Sequence, residues 1–248
     1  MNRARDIIDR RLEHFHRGRS SQAETLARAG LREFPEDGHL WQLLGMFRQR
    51  AGDFASASEA LETASLLVPL APSARCALAD CHARLGRAEL ARQLYRLLAG
   101  DGACPTALLP AVASGLGSVG EDATALDVCR ELSRREPTRH EAFFGMAFYM
   151  RRLGHPVESL IPVVTHAHDL APEIVTYRVF LASLLATTGK HQEAYELLRD
   201  VPPESVRCSG CLRRMMAVFR LAGDDARARD CREQAKRVGD GGAFAPMD

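Results

Sequence analysis

Residues 38–71 read GHLWQLLGMFRQRAGDFASASEALETASLLVPLA, and this stretch decides the fold. Trp41, Leu44 and Gly45 stand at helical spacing. Gly52 follows after a run of polar residues. Ala57, Leu61 and Ala64 then mark a second helical face, and Pro69 ends the segment. The order is helix, glycine turn, helix, proline stop. Outward from here the same marks recur. Gly18, Gly52, Gly86, Gly120, Gly154, Gly189 and Gly223 are separated by 34, 34, 34, 34, 35 and 34 residues. A small residue stands five places after each: Ala23, Ala57, Ala91, Ala125, Ser159, Ala194 and Ala228. Pro35, Pro69 and Pro137 stand seventeen places after their glycines, and Pro172 one place later still. A fixed period of this length is the mark of stacked supersecondary units. Each mark has a physical reason. Glycine supplies the turn conformation that a Cβ would oppose. A small residue lets two helices cross closely. Proline cannot continue a helix.

The residues Trp41-x-x-Leu44-Gly45-x-x-Arg48, Gly52, Ala57, Leu61, Ala64 and Pro69 resemble the tetratricopeptide repeat. That family's 34-residue unit reads W-x2-L-G-x2-Y, G, A, F, A, P. The resemblance implies an all-α, right-handed superhelical solenoid of about seven helix-turn-helix repeats. They fall near 4–37, 38–71, 72–105, 106–139, 140–174, 175–208 and 209–238. Residues 1–238 are read as one solenoid domain and 239–248 as a disordered tail without periodicity. The usual tyrosine is replaced in every repeat, and tryptophan holds its place only in the second. Repeat four has a weak first helix, because Pro110, Gly115 and Gly117 interrupt it, so it is read as a soft joint.

Composition narrows the function. The chain has 248 residues, 46% of them hydrophobic, and a formal charge of +1. No global field steers it to nucleic acid or anionic lipid, and neither is expected as a partner. No apolar run is long enough for a signal peptide or a membrane span, so a cytoplasmic protein is expected. Seven cysteines are an odd number, and Cys76, Cys81, Cys129 and Cys231 sit inside helical patterns, as reduced thiols do.

No phosphate loop, nucleophile elbow or HExxH is present. The expectation is a chain that is not an enzyme and carries no cofactor. The pairs His14/His16 and His166/His168 are two apart, so on a helix they point to different faces and chelate poorly. The acidic pairs Glu36-Asp37 and Asp224-Asp225 fall at turns, where such residues cap helices. Arginine runs, Arg151-Arg152 and Arg213-Arg214 among them, read as solvated faces. Cys208-Ser-Gly-Cys211 opens the first helix of repeat seven. It is incidental, a redox pair, or part of a zinc site whose nearest third ligand would be Cys231.

The resemblance implies that the first helix of each repeat lines a concave groove. Its positions 2, 5, 9 and 12, with their neighbours, then name a partner site. The candidates are Gln42, Met46 and Arg50, then Arg84, then Phe144, Phe148, Arg151 and Arg152, then Val179 and Phe180. These positions hold no lysine or asparagine, which argues against the carboxylate clamp of chaperone-binding relatives. Aromatic and arginine anchors suit a helical or extended segment of a partner protein. The expected role is a scaffold or adaptor. A chaperone for a secreted or assembly subunit, as in type III secretion, is the alternative, as is a thiol- or zinc-dependent regulator using Cys208 and Cys211. Self-association through an end repeat is a further possibility; the arginine-rich repeat seven looks polar enough to be a cap.

Overall fold

The structure, a computed structural model, describes residues 20–239. The first part of the repeat read near 4–37, with Gly18 at its turn and with His14 and His16, and residues 240–248 of the tail read at 239–248 lie outside the described residues. Among the described residues every regular element is helical. They are α1 (Ser20–Glu33), α2 (Gly38–Arg50), α3 (Phe54–Leu67), α4 (Pro72–Arg84), α5 (Ala88–Gly100), α6 (Leu109–Ser118) and α7 (Asp122–Arg135). After them come α8 (His140–Arg152), α9 (Val157–Leu170), α10 (Val175–Thr187), α11 (His191–Leu198), α12 (Ser209–Leu221) and α13 (Asp225–Val238). Short 3-10 turns at Thr106–Leu108 and Pro203–Ser205 precede α6 and α12. The chain divides into two compact units between Thr124 and Ala125, inside α7.

The repeat glycine closes each hairpin in one way. At Gly52 φ is +82°, the left-handed region. Gly52 N donates to Gln49 O at 3.0 Å, and Asp53 N donates to Arg48 O at 3.0 Å. The same pair of bonds recurs at Gly86, Gly120, Gly154, Gly189 and Gly223. These bonds satisfy the carbonyls that a helix end leaves open. After two of these turns, at Gly52 and Gly223, an aspartate caps the following helix. Asp53 accepts from Ser56 N, and Asp224 accepts from Arg227 N. Asp37 accepts from His39 N and Leu40 N at the start of α2. Each such cap contributes about 1 kcal/mol.

The small residue of the second helix does what its size predicts. Ala57, Ala91, Ala125 and Ala194 are fully buried, and Ala228 nearly so. In the first unit, Gly45 of α2 lies on α3: a Cβ there would stand 2.5 Å from Leu61 Cγ. Leu61, Ala74 and Leu78 join α3 to α4 in a buried cluster, with Met46 and Leu94 packed on it. In the second unit a continuous core runs from Phe144 through Leu160, Tyr177, Phe180, Leu198, Leu212 and Phe219 to Cys231.

In repeat four the first helix is complete. Helix α6 runs unbroken over Leu109–Ser118. Pro110 falls in its first turn, where no intrahelical bond is lost. Gly115 and Gly117 are buried. Gly115 faces the ring of Tyr95 on α5, which occupies the space a side chain would need. The glycine that weakens the helix by propensity is the one that lets the two helices meet.

Candidate functional site

The residues expected to line a groove fall into two groups, one in each compact unit. In the first unit most of them are held by other residues of the fold. Gln42 is buried, and its Oε1 accepts from Ala71 N at 3.0 Å, tying α2 to the start of the next repeat. Met46 is half-buried against the Leu61, Ala74 and Leu78 cluster. Gln49 Nε2 donates to Asp80 Oδ2 at 2.7 Å, and Asp80 also pairs with Arg84 at 3.5 Å. The Arg84 guanidinium lies 5.6 Å from the centre of the Phe54 ring. Arg50 is exposed at the end of α2. Of these four candidates, Arg50 and Arg84 present surface, and Gln42 is internal scaffolding.

In the second unit the correction is larger. Phe144, Val179 and Phe180 were expected to offer apolar surface to a partner. They are 4%, 1% and 2% exposed, so their surface is already removed from water. The reason is the next repeat. Phe144 stacks on Tyr177 at 4.5 Å and meets Phe180 edge-on at 5.6 Å. Tyr177 is itself fully buried, with its hydroxyl 2.8 Å from His140 Nδ1. Burial raises the Tyr177 phenol above its ordinary range.

Three of the candidates do reach solvent. Phe148 is half-buried, and Arg151 and Arg152 are exposed at the last turn of α8. Arg152 lies over the Phe148 ring at 5.8 Å, and Arg151 lies over the Phe180 ring at 5.2 Å. A fourth residue joins them. Arg214 of α12 sits over the same Phe180 ring at 5.7 Å. Burial, and then the charge of Arg214, holds the Arg151 guanidinium below its ordinary range. Arg214 was read as part of a solvated run. The available signal was the period itself, because Arg214 stands one repeat of 34 residues after Phe180.

The cysteine pair has a defined local geometry. Cys208 is the N-cap of α12, and its Sγ accepts from Cys211 N at 3.2 Å. Cys211 is buried, and burial pushes its thiol up to about 12, with the bond to Cys208 adding to the rise. Cys231 does not complete a metal site with them. Among the described residues no three His, Cys, Asp or Glu side chains gather closely enough to hold an ion. Cys208 is half-exposed, whereas the other six cysteines are buried. Brief iodoacetamide treatment of the folded protein at roughly pH 8 is therefore expected to label Cys208 first. Peptide mass spectrometry checks this, and equal labelling of Cys129 or Cys231 would contradict the packing.

Other chemistry is sparse. His166 packs edge-on against Phe143 at 4.3 Å. An open cleft of about 340 Å³ lies on the last hairpin, floored by Leu212, Met216 and Ala235 and edged by Arg213, Arg232 and Lys236. Cys231 and Gly239 complete its lining, and burial pushes the Cys231 thiol up to about 11. No helix among the described residues is long and apolar enough to cross a membrane.

Comparison with known proteins bears on the fold. Residues 43–107 match the family described as Tetratricopeptide repeat. No curated protein matches the chain by sequence. Among solved structures, a tetratricopeptide repeat protein from Parabacteroides merdae is similar with a TM-score of 0.69 and 17% identity, over 96% of this chain and 93% of that one. The pilF protein of Pseudomonas aeruginosa is similar with a TM-score of 0.64 and 17% identity, over 83% of this chain and 93% of that one. YrrB, described as a TPR protein with an unusual peptide-binding site, has a TM-score of 0.57 and 13% identity, over 84% of this chain and 97% of that one. Residues 43–107 thus match tetratricopeptide repeats, and the chain has the all-α repeat fold of the tetratricopeptide repeat proteins it resembles.

Proposed function

We propose that the chain is a non-catalytic protein-interaction scaffold whose second unit takes a helical or extended segment of a partner protein. The surface is the first-helix face carrying Phe148, Arg151 and Arg152. The observation that carries this reading is that two guanidiniums from one exposed helix end lie over aromatic rings, Arg152 over the half-buried Phe148 and Arg151 over the buried Phe180. Aromatic and arginine side chains held in this way lose little freedom on binding, which suits them to anchor an interface. The peptide-binding site attributed to YrrB supports the reading by analogy of fold.

The test is a comparative pull-down. The tagged chain and a Phe148→Ser/Arg152→Ser variant of unchanged helicity are used as baits from the native lysate. A stoichiometric protein recovered by the parent chain and lost by the variant is the expected result. Equal recovery by both would remove this face as the site. If the recovered protein precipitates in cells lacking the chain, the scaffold acts as its chaperone.

A further inference from the structure

Two cysteines share the first turn of α12. Cys208 is its N-cap, with an extended backbone at φ −97° and ψ 112°. That conformation brings an N-cap side chain back to the N–H groups of the first turn. The Cys208 sulphur accordingly accepts from Cys211 N at 3.2 Å. The Cys211 side chain is hydrogen-bonded to Cys208 as well. One sulphur thus meets both the backbone and the side chain of the residue that carries the other. Both are free thiols. A disulfide joins cysteines whose Cα atoms lie about 4.4–6.8 Å apart, a range that includes one helical turn of about 5.4 Å. Only Ser209 and Gly210 stand between the two, so closing the bond asks for no movement of distant chain.

The two sulphurs differ in access. Cys208 is half-exposed, whereas the other six cysteines are buried. Cys211 is 2% exposed, and burial keeps it a thiol, its pKa pushed up to about 12. A small reagent therefore reaches Cys208 first, and a partner sulphur already bonded to Cys208 waits where the reagent does not reach. We infer that Cys208 and Cys211 form a reversible thiol–disulfide site whose co-reactant is a low-molecular-weight disulfide such as oxidised glutathione. Cys208 gives its proton to water, and its thiolate attacks one sulphur of the small disulfide. The Cys208–glutathione bond forms, the S–S bond of the reagent breaks, and one glutathione leaves as thiolate and takes up a proton. Cys211 then loses its proton to solvent and attacks Cys208 Sγ. The Cys208–Cys211 bond forms and the second glutathione leaves. Two protein thiols are oxidised by two electrons, and one disulfide is reduced to two thiols. The inference does not depend on the scaffold reading.

The test uses the folded full chain, reduced, freed of reductant and incubated with oxidised glutathione at roughly pH 8 with air excluded. Remaining thiols are blocked with N-ethylmaleimide under denaturing conditions. Trypsin, cutting after Arg207 and Arg213, places both cysteines on one peptide. That peptide is expected to lose the mass of two hydrogen atoms and to take up no maleimide, and dithiothreitol should reverse both. Cys211→Ser should stop at the mixed disulfide, with one glutathione held on Cys208. Should that variant lose helicity, Cys211→Ala, which buries no hydroxyl, takes its place. Cys208→Ser keeps a capping side chain, and its remaining cysteines are buried, so it should react at least about tenfold more slowly than the parent. A parent chain that keeps glutathione on Cys208 without closing the Cys208–Cys211 bond would overturn the inference. So would a parent peptide that stays fully reduced, or oxidation of Cys208→Ser at the parent rate.

Discussion

Gly115→Val is expected to destabilise the first compact unit by at least about 3 kcal/mol, a large part of the roughly 5–15 kcal/mol that holds a domain folded. A Cβ built at Gly115 would lie 2.1 Å from Tyr95 Cζ, 2.4 Å from Cε1 and 2.6 Å from Cε2. The obstacle is an aromatic ring, which cannot fold away as the end of a lysine could. Tyr95 is 3% exposed, so it has no open space to turn into. The helices must therefore separate or the ring must leave its rotamer, and both lose contacts along α5 and α6. A urea titration followed by circular dichroism measures the loss. Shortening the obstacle should recover part of it, so Gly115→Ala combined with Tyr95→Ala is expected to be less unstable than the two single changes added together. A Gly115→Val protein with the parent midpoint would refute the contact.

Phe144→Ser is the second large effect, expected at about 3–5 kcal/mol. The ring is 4% exposed, stacked on Tyr177 and edge-on to Phe180. Its removal leaves a cavity between α8 and α10 and places a hydroxyl in apolar surroundings. The urea midpoint should fall well below that of Phe148→Ser, whose ring is half-buried at the surface. A midpoint equal to that of the parent would mean the site can collapse without cost. The contrast governs how binding experiments are read. Loss of a partner in a Phe144 variant reports loss of the fold, whereas loss in a Phe148 variant reports loss of the surface.

The architecture was legible because its determinants are local. A glycine turn, a small crossing residue and a proline stop each act within a few residues, and the period repeats them in phase. The site was only partly legible, because burial in a stack is set one repeat away. The rule that places position 5 of each first helix toward a groove is blind to what the next repeat puts on top. Phe144 and Val179 hold that position, and the second unit covers both. Arg151 and Arg152 emerged as surface residues because they end a helix. Arg214 was hidden in an arginine pair, where charge alone suggested solvent. Gly115 misled in the opposite sense: propensity marked it as a weakness, and the ring that requires it lies on the preceding helix.

The turn glycines and Gly115 differ in what they demand. Around Gly52, Gly86, Gly120, Gly154, Gly189 and Gly223 nothing lies within 4 Å of where a Cβ would stand, yet each has a φ between +76° and +82°. Space is plentiful there, and only the hand of the α-carbon is wrong for an L residue. The repeat therefore needs achirality at these turns rather than smallness. A mirror-image alanine would meet the same backbone angles without strain and would narrow the freedom of the unfolded chain. Read this way, the 34-residue period records how often an L-polypeptide must suspend its handedness to reverse direction and stack.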